Sequence, residues 1–283
     1  MRRMRLAIVG FGRLGSACAA ALHDSHDLEL AGVVRHARPA KLPPPFEHAA
    51  VAGHVRELNG VDAALVCVPA VDAPGTAREL LQQRLPLVEC AGLEGHALEA
   101  HHAALGEAAR HHRVAAVVGA GWDPGALPLL RHLFEVLIPR GQTESGPQPG
   151  VSLHHTASVE RLPGVKAALA CETRDAQGRR QRYVYVQLEQ RASVAEIERA
   201  LAADPLYAGE PAFVFAVPDL AALEAAGSGV VLERRGSGDT GAHQSLLLEA
   251  RFEVATFAAR VMLDAARRLP QLKPGAHRYS LWG

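Results

Sequence analysis

Residues 5–22, RLAIVGFGRLGSACAAAL, set an apolar run directly before glycines at positions 10, 12 and 15, and a run of small residues directly after them. This pattern constrains the fold more than any other in the chain. The apolar run suits a buried strand, and the small residues suit a helix packed tightly on it. Gly10 permits the tight turn, Gly12 lets a pyrophosphate approach the backbone, and Gly15 lets the helix pack closely on the strand. The helix N-terminus adds unpaired N–H groups and partial positive charge. On this reading Gly10, Phe11, Gly12, Arg13, Leu14 and Gly15 bind a dinucleotide. The competing reading is a strand-to-helix turn that holds nothing.

The following rhythm predicts strands over 5–9, 28–34, 62–68, 85–90 and 114–120, with helices over 13–23, 74–84 and 96–112. Short apolar strands alternating with helices imply a doubly wound parallel sheet, an N-terminal Rossmann unit. After residue 120 the rhythm changes. A helix is expected over 124–138, and RGQTESGPQPG (140–150) reads as a Gly- and Pro-rich loop. Strands are expected over 150–155, 166–173, 182–189, 212–217, 229–234 and 244–250, with a hairpin connection at 174–180 and a helix at 193–203. The fold class is therefore α/β, with a smaller α+β substrate domain built on a mostly antiparallel sheet. The expected boundaries are 1–122 for the dinucleotide-binding domain and 123–251 for a substrate-binding and dimerisation domain. An amphipathic helix at 252–268, within the terminal segment 252–283, closes the first domain.

Composition narrows the partners. Of 283 residues, 48% are apolar, enough for a sizeable core, and 30 basic residues balance 30 acidic ones. That balance gives no support to a nucleic-acid or anionic-membrane partner. No apolar run approaches the roughly 18 residues of a membrane span. The opening MRRMRL lacks a signal-peptide cleavage pattern. Cys18, Cys67, Cys90 and Cys171 are widely spaced and read as reduced thiols of a cytoplasmic protein. Histidine pairs at 101–102 and 111–112 sit in a helical stretch without an HExxH pattern, so no metal site is expected.

The second strand bears on which dinucleotide. NAD enzymes usually carry an acid about 20 residues after the last glycine, for the ribose 2′-OH. Here that region reads VVRHARPAK, and Arg35, His36 and Arg38 favour the 2′-phosphate of NADP. Cys67, Val68, Pro69 and Ala70 end the third strand and should line the cofactor cleft. Glu94, in ECAGLEG after the fourth strand, should face the nicotinamide end.

The fifth strand ends in GAGWDPGALPLL (119–130). Trp122 and Asp123 stand where an open α/β sheet places its active cleft. A helix N-cap for Asp123 and boundary packing for Trp122 are the plain alternatives. GWDPG at 121–125, followed by GPQPGVSLHHTASVERLPGVKAAL at 146–169, resembles the meso-diaminopimelate D-dehydrogenase family. GDTG at 238–241 and LKPGA at 272–276 are similar too, and the likeness runs from residue 5 to about 276, thinly between 185 and 235.

The resemblance implies NADP-dependent oxidative deamination at a D-configured amino acid centre, and its reverse, reductive amination of a 2-oxo acid with ammonia. It places Asp123 at the reacting centre, with Trp122 and Gly125 beside it. It places Arg180 on a distal carboxylate, with Arg179 or Arg182 as substitutes if the hairpin is offset. The chain departs from the family pattern at Gly92, which replaces an acid, and at Glu172, which replaces a threonine. The family histidine before GDTG has no equivalent in GSGVVLERRGSGDTG. These changes point to a substrate tail that is neutral or cationic and faces Glu172. In the mechanism expected here, His155 accepts a proton or orients a water. Ser152 and Thr156 are placed to hydrogen-bond the proximal carboxylate. If 150–155 is a strand, His154 points away from His155, and a structural histidine is the alternative for His155. The partners expected are the amino acid or 2-oxo acid, ammonia and a second copy of the chain. The alternatives are a cyclic-imine reductase of the dihydrodipicolinate reductase type, for which HHR at 111–113 is the feature to weigh, and a non-catalytic NADP-binding sensor.

Overall fold

The computed structural model describes residues 2–35, 41–90, 92–93, 95–147, 150–174, 179–189, 192–220, 228–237 and 244–280. In chain order the elements are β1 (Met4–Val9), α1 (Arg13–His23), β2 (Leu28–Val34), β3 (Val51–Ala52), β4 (Ala63–Val66), α2 (Ala73–Gln82), β5 (Leu87–Glu89), α3 (Gly95–His112), β6 (Ala115–Val118) and α4 (Ala126–Leu137). They continue with β7 (Gly141–Pro147), β8 (Gly150–Val151), α5 (Leu153–Glu160), β9 (Val165–Arg174), β10 (Arg180–Leu188), α6 (Val194–Ala203), β11 (Ala212–Ala216), β12 (Ser228–Gly236), β13 (Ser245–Phe252), α7 (Val254–Arg268) and β14 (Gly275–Arg278).

Two compact units result, Met1–Leu129 with Ala255–Gly283, and Leu130–Val254. The division falls later than residue 122 because the start of α4 belongs to the first unit: Ala126 and Leu129 pack on its core.

The first unit holds a seven-stranded sheet in the order β14-β6-β5-β4-β1-β2-β3, with every pairing parallel. Successive side chains of a strand alternate between faces, so the sheet feeds two core layers. Leu6, Ile8, Leu65, Val88 and Val117 meet α1 and α7 residues such as Cys18, Ala259 and Met262. Ala7, Val9, Ala64, Leu87 and Ala116 meet Ala77 and Leu81 of α2 and Leu105 of α3. Both faces are covered, and strands that are apolar without alternation follow from that burial. The five strands read from sequence become seven. β3 has only two residues, and β14 is an edge strand (GAHR) whose polar residues carry no strand signature.

The second unit holds two sheets. One is four-stranded in the order β11-β10-β9-β8, antiparallel except for the parallel pair β10–β11. The other is the three-stranded antiparallel sheet β13-β12-β7. Helices α5 and α6 cover one face of the four-stranded sheet, where Val159, Ile197 and Leu201 meet Ala168, Ala170, Val184 and Val186.

Two expectations change here. The presumed loop at 140–150 contains β7, which pairs with β12 from Gly141↔Gly236 to Pro147↔Val230. Its sequence, GQTESGP, has no apolar alternation because it lies at the sheet edge. The presumed strand at 150–155 ends after Val151, and α5 begins at Leu153. His155, Thr156 and Val159 are all buried, at the spacing of one helix face. Arg234 of β12 is also buried: Nε donates to the Ile138 carbonyl at 2.6 Å, Nη2 to the Pro139 carbonyl at 3.3 Å and Nη1 to Thr143 Oγ1 at 2.6 Å. It binds carbonyls just past the C-terminal end of α4, where the helix dipole favours a cation.

Candidate active site

The glycine loop joins β1 to α1 at the point where the strand order reverses, since β1 lies between β2 and β4. Open parallel sheets bind ligands at the carboxyl ends of strands at such a point. The three glycines have different reasons to be glycine. Gly10 has φ +94°, and a Cβ there would lie 2.6 Å from the Cys67 carbonyl oxygen. A Cβ on Gly15 would collide with the Gly10 carbonyl oxygen. Gly12 is exposed, and a Cβ there would meet nothing within 4 Å. Its openness is therefore not required by packing within the chain. Gly12 is also the N-cap of α1, with no side-chain cap and no acid in the first turn. The amides of a helix N-terminus suit an anion, so the loop fits a dinucleotide pyrophosphate.

Around this loop, Phe11 meets Phe46 edge-on at 6.1 Å, and Leu14 packs on the core. Arg13 opens α1. Arg35 directly follows β2; its N–H donates to the Ala52 carbonyl at 3.0 Å, beside the Gly10 N–H bond to Val34. His36, Arg38 and Glu94 lie outside the described residues, as does GDTG.

Cys67 to Ala70 follow β4 as expected, yet they do not act alike. Val68 and Pro69 are half-buried, whereas Cys67 and Ala70 are buried. The Cys67 side chain turns into the core, with Sγ 3.8 Å from that of Cys18. The Cys18 thiol beside it, together with burial, holds the Cys67 thiol well above its ordinary range. Cys67 thus shapes the loop through its carbonyl, not through its sulfur.

The segment after β6 is a closed turn. Gly121 N–H donates to the Pro124 carbonyl at 3.1 Å, Ala126 N–H to Gly121 at 3.0 Å and Leu127 N–H to Trp122 at 2.9 Å. The Asp123–Pro124 peptide is cis. Gly125 has φ +143°, and a Cβ there would strike the Gly121 backbone. Trp122 is half-buried and meets Phe257 edge-on at 5.0 Å, while Asp123 is exposed. Because α4 starts at Ala126, Asp123 is not its N-cap. The turn is anchored by Glu89, which sequence reasoning missed. Its main-chain carbonyl accepts the Ala120 N–H at 2.9 Å, and its carboxylate accepts the Gly119 N–H at 3.2 Å. The available signal was an acid ending an apolar run, VEC.

In the second unit the polar residues are committed to one another. His155 is 8% exposed. Its Nε2 lies 3.2 Å from the Leu206 carbonyl and its Nδ1 2.6 Å from Ser152 Oγ. A carbonyl only accepts, so Nε2 carries a proton and donates to Leu206, while Nδ1 is bonded to the Ser152 hydroxyl. Tyr207 donates its hydroxyl to the His155 carbonyl at 3.0 Å. Both ring nitrogens thus face groups of the second unit itself, the placement that the structural alternative calls for. Thr156 is 1% exposed, and its Oγ1 accepts the Ala170 N–H at 2.9 Å. It ties α5 to β9 instead of meeting a carboxylate. His154 and His155 sit on a helix, so strand alternation does not separate them.

Glu172 and Arg180 are brought together with Arg182, the substitute weighed for Arg180, and with Glu210, which was not singled out beforehand. Arg182, 3% exposed, lies 3.1 Å from Glu172 and 2.7 Å from Glu210. Arg180 lies 3.7 Å from Glu172 and 4.0 Å from Glu210. Two guanidinium and two carboxylate groups balance. Glu172 therefore does not offer an uncompensated anion to a cationic substrate tail. The alternation in RYVYV sets Arg182 on the same buried face as Val184 and Val186.

The HHR segment ends α3 and the turn after it; His111 and Arg113 are exposed, and Arg113 has φ +58°. That is a helix terminus and not a binding signature. Among the described residues, no group of three or more His, Cys, Asp or Glu is placed to hold a metal ion. No described helix is long and apolar enough to cross a membrane.

No family model matches the chain. It is 31% identical over 277 residues to meso-diaminopimelate D-dehydrogenase of Bacteroides fragilis, covering 98% of this chain and 92% of that protein. Its fold is similar to that of C. glutamicum DAP dehydrogenase in complex with DAP, with a TM-score of 0.77 and 21% identity over 98% of this chain and 93% of that one. It is also similar to an engineered D-amino acid dehydrogenase bound to NADP+, with a TM-score of 0.75 and 22% identity at the same coverage.

Proposed function

The chain belongs to the meso-diaminopimelate D-dehydrogenase family, and we propose that it oxidatively deaminates a D-configured amino acid centre with NADP, and runs the reverse reductive amination. In balance, the amino acid, NADP+ and water give the 2-oxo acid, ammonium, NADPH and a proton. The observation that carries this reading is the closed GWDPG turn presenting exposed Asp123 at the carboxyl end of β6. When bound, the nicotinamide supplies the acceptor for the hydride leaving the substrate Cα.

The chain's own residues supply the rest. Backbone amides at Gly12 and the start of α1 hold the pyrophosphate, and Arg35 favours the 2′-phosphate. Asp123 accepts N–H bonds from the substrate ammonium and takes its proton, so the nitrogen lone pair can form the imine as Cα is oxidised.

The Arg180–Arg182–Glu172–Glu210 cluster supports a substrate whose tail needs no second carboxylate, because Arg180 already faces two anions. The outer face of the four-stranded sheet supports pairing of two copies. There Tyr185 stacks on Phe215 at 5.5 Å, Tyr183 meets Phe213 at 5.8 Å, and both phenylalanines are exposed. The four unbonded, buried cysteines support a reducing, cytoplasmic setting.

The test is NADPH consumption with ammonia and a panel of 2-oxo acids with and without a distal carboxylate. Turnover with monocarboxylic 2-oxo acids is expected, and its loss when Arg35→Ala is assayed with NADPH but not NADH. Tight NADPH binding without turnover on any member of the panel would favour a non-catalytic sensor.

A further inference from the structure

The reading above gives no role to the pair Glu89 and His101. Glu89 ends β5 and is 0% exposed. His101, on α3, has a side chain that is also buried, with Nε2 3.5 Å from Glu89 Oε1. That same oxygen accepts the Gly119 N–H at 3.2 Å. The Glu89 carbonyl accepts the next amide, that of Ala120, at 2.9 Å. One residue therefore holds two consecutive amides at the exit of β6.

The place is sensitive. Gly119 has φ +72°, so the chain swings there into the left-handed region, and its Cα faces Pro124. Beyond it the turn closes on itself through the three bonds from Gly121, Ala126 and Leu127. A Cβ on Gly121 would sit 3.2 Å from the Cβ of Cys90, the residue after Glu89. The turn carrying Trp122 and Asp123 thus behaves as a rigid piece whose inclination is set at Gly119 and Ala120. Burying a carboxylate costs several kcal/mol in desolvation, and an apolar residue is often as good for stability alone. Stability alone therefore does not account for a buried acid at this position.

We infer that Glu89, oriented by His101, is a positioning residue that sets the angle of the GWDPG turn and so the reach of Asp123. The inference rests on Asp123 acting at the reacting amino acid centre. A misplacement of about 1 Å at such a centre can cost about 100-fold in rate.

The test uses the full chain carrying Trp282→Phe, which leaves Trp122 as the sole tryptophan of the two in the sequence. Glu89→Ala removes the acceptor of Gly119; Glu89→Gln keeps a carbonyl oxygen there. The expected results are a fall in kcat of about 100-fold for Glu89→Ala, NADPH affinity within about twofold of the parent, and a shifted Trp122 emission without ligand. Glu89→Gln should recover most of the rate and the parent emission. Undiminished kcat in Glu89→Ala, or a Glu89→Gln variant as slow as Glu89→Ala, overturns the inference. So does a parallel loss of NADPH affinity. If Glu89→Ala does not fold, His101→Phe takes its place. It keeps the volume and should shift the Trp122 emission and lower kcat about tenfold; no change in either overturns the inference. Asp123→Asn separates the two claims. Full activity in that variant sinks the functional reading and the inference with it. An inactive Asp123→Asn beside a fully active Glu89→Ala sinks the inference alone.

Discussion

In the parallel-sheet unit the candidate chemistry is carried by backbone: an open glycine, a helix N-terminus and a closed turn presenting one exposed carboxylate. In the second unit the candidate residues are side chains, and most are committed to each other, Ser152 to His155, Thr156 to Ala170, Arg182 to Glu172 and Glu210. The contrast separates two uses of a polar residue. An exposed group can exchange its bonds with water or a ligand, whereas a buried group without a partner costs free energy. Burial therefore tells apart residues of the same chemical type that a sequence leaves equivalent.

The strongest way to break the comparison lies in the glycine loop. Gly15→Ala forces a Cβ into the Gly10 carbonyl, so loss of both NADPH binding and cooperative melting is expected. Gly12→Ala meets nothing in the protein. It should melt within about 0.5 kcal/mol of the parent yet bind NADPH roughly 30-fold more weakly, about 2 kcal/mol. Equal behaviour of the two variants in melting and fluorescence titration would remove the ligand from the explanation of Gly12.

The charge cluster is next. Arg182→Met leaves Glu172 and Glu210 without their buried partner and should cost about 3 kcal/mol in urea unfolding. A neutral outcome would mean that water already screens the cluster, and would return Glu172 to the list of groups available to a substrate.

His155 sharpens the contrast from the other side. His155→Gln should lower stability by about 1–2 kcal/mol through the Ser152 and Leu206 bonds, with kcat changed less than about threefold. A stable variant with turnover reduced by about 100-fold or more would make His155 a proton-transfer group after all.

The smallest effect belongs to the surface of the first unit. Arg267 forms bonds of 2.7 and 3.0 Å to Asp27 and, chiefly through that hydrogen bonding, holds its carboxyl well below the ordinary value of 3.8. A depressed folded-state value stabilises the fold above 3.8, and the contribution fades as pH falls below it. Both side chains are more than a third exposed, so Arg267→Ala should cost under about 1 kcal/mol at pH 7. The difference from the parent should shrink in thermal melts below pH 3.8.

Much of the first unit was legible because its signals are local. Strand, turn glycine and helix are adjacent in the chain, and an apolar run of five residues is enough to declare a buried strand. β3 and β14 escaped because a two-residue strand has no period and GAHR lies at an edge. In the second unit the first residues of LHHTASVE, 153–155, were mistaken for the end of a strand, since a helix of about two turns rich in polar and small residues has no strong pattern. GQTESGP was mistaken for a loop because edge strands carry polar side chains. Among candidate residues, Gly10, Gly12, Gly15 and Asp123 were singled out from motifs of fixed spacing. Glu89, His101 and Glu210 belong to no such motif, because each acquires its meaning from a partner at least 12 residues away in the chain.

The sequence by itself determined the parallel sheet and the glycine loop, because each follows from steric rules acting over a few residues; the closed turn bearing Asp123, where a helix was expected from residue 124, came from the structure. Only the tertiary structure decided which polar groups are spent. It paired His155 with Ser152 and the Leu206 carbonyl, balanced Arg180 and Arg182 against two glutamates, and set Glu89 beneath the β6 turn. Those outcomes depend on desolvation and on partners brought together across the fold, and neither quantity is written in the neighbouring residues.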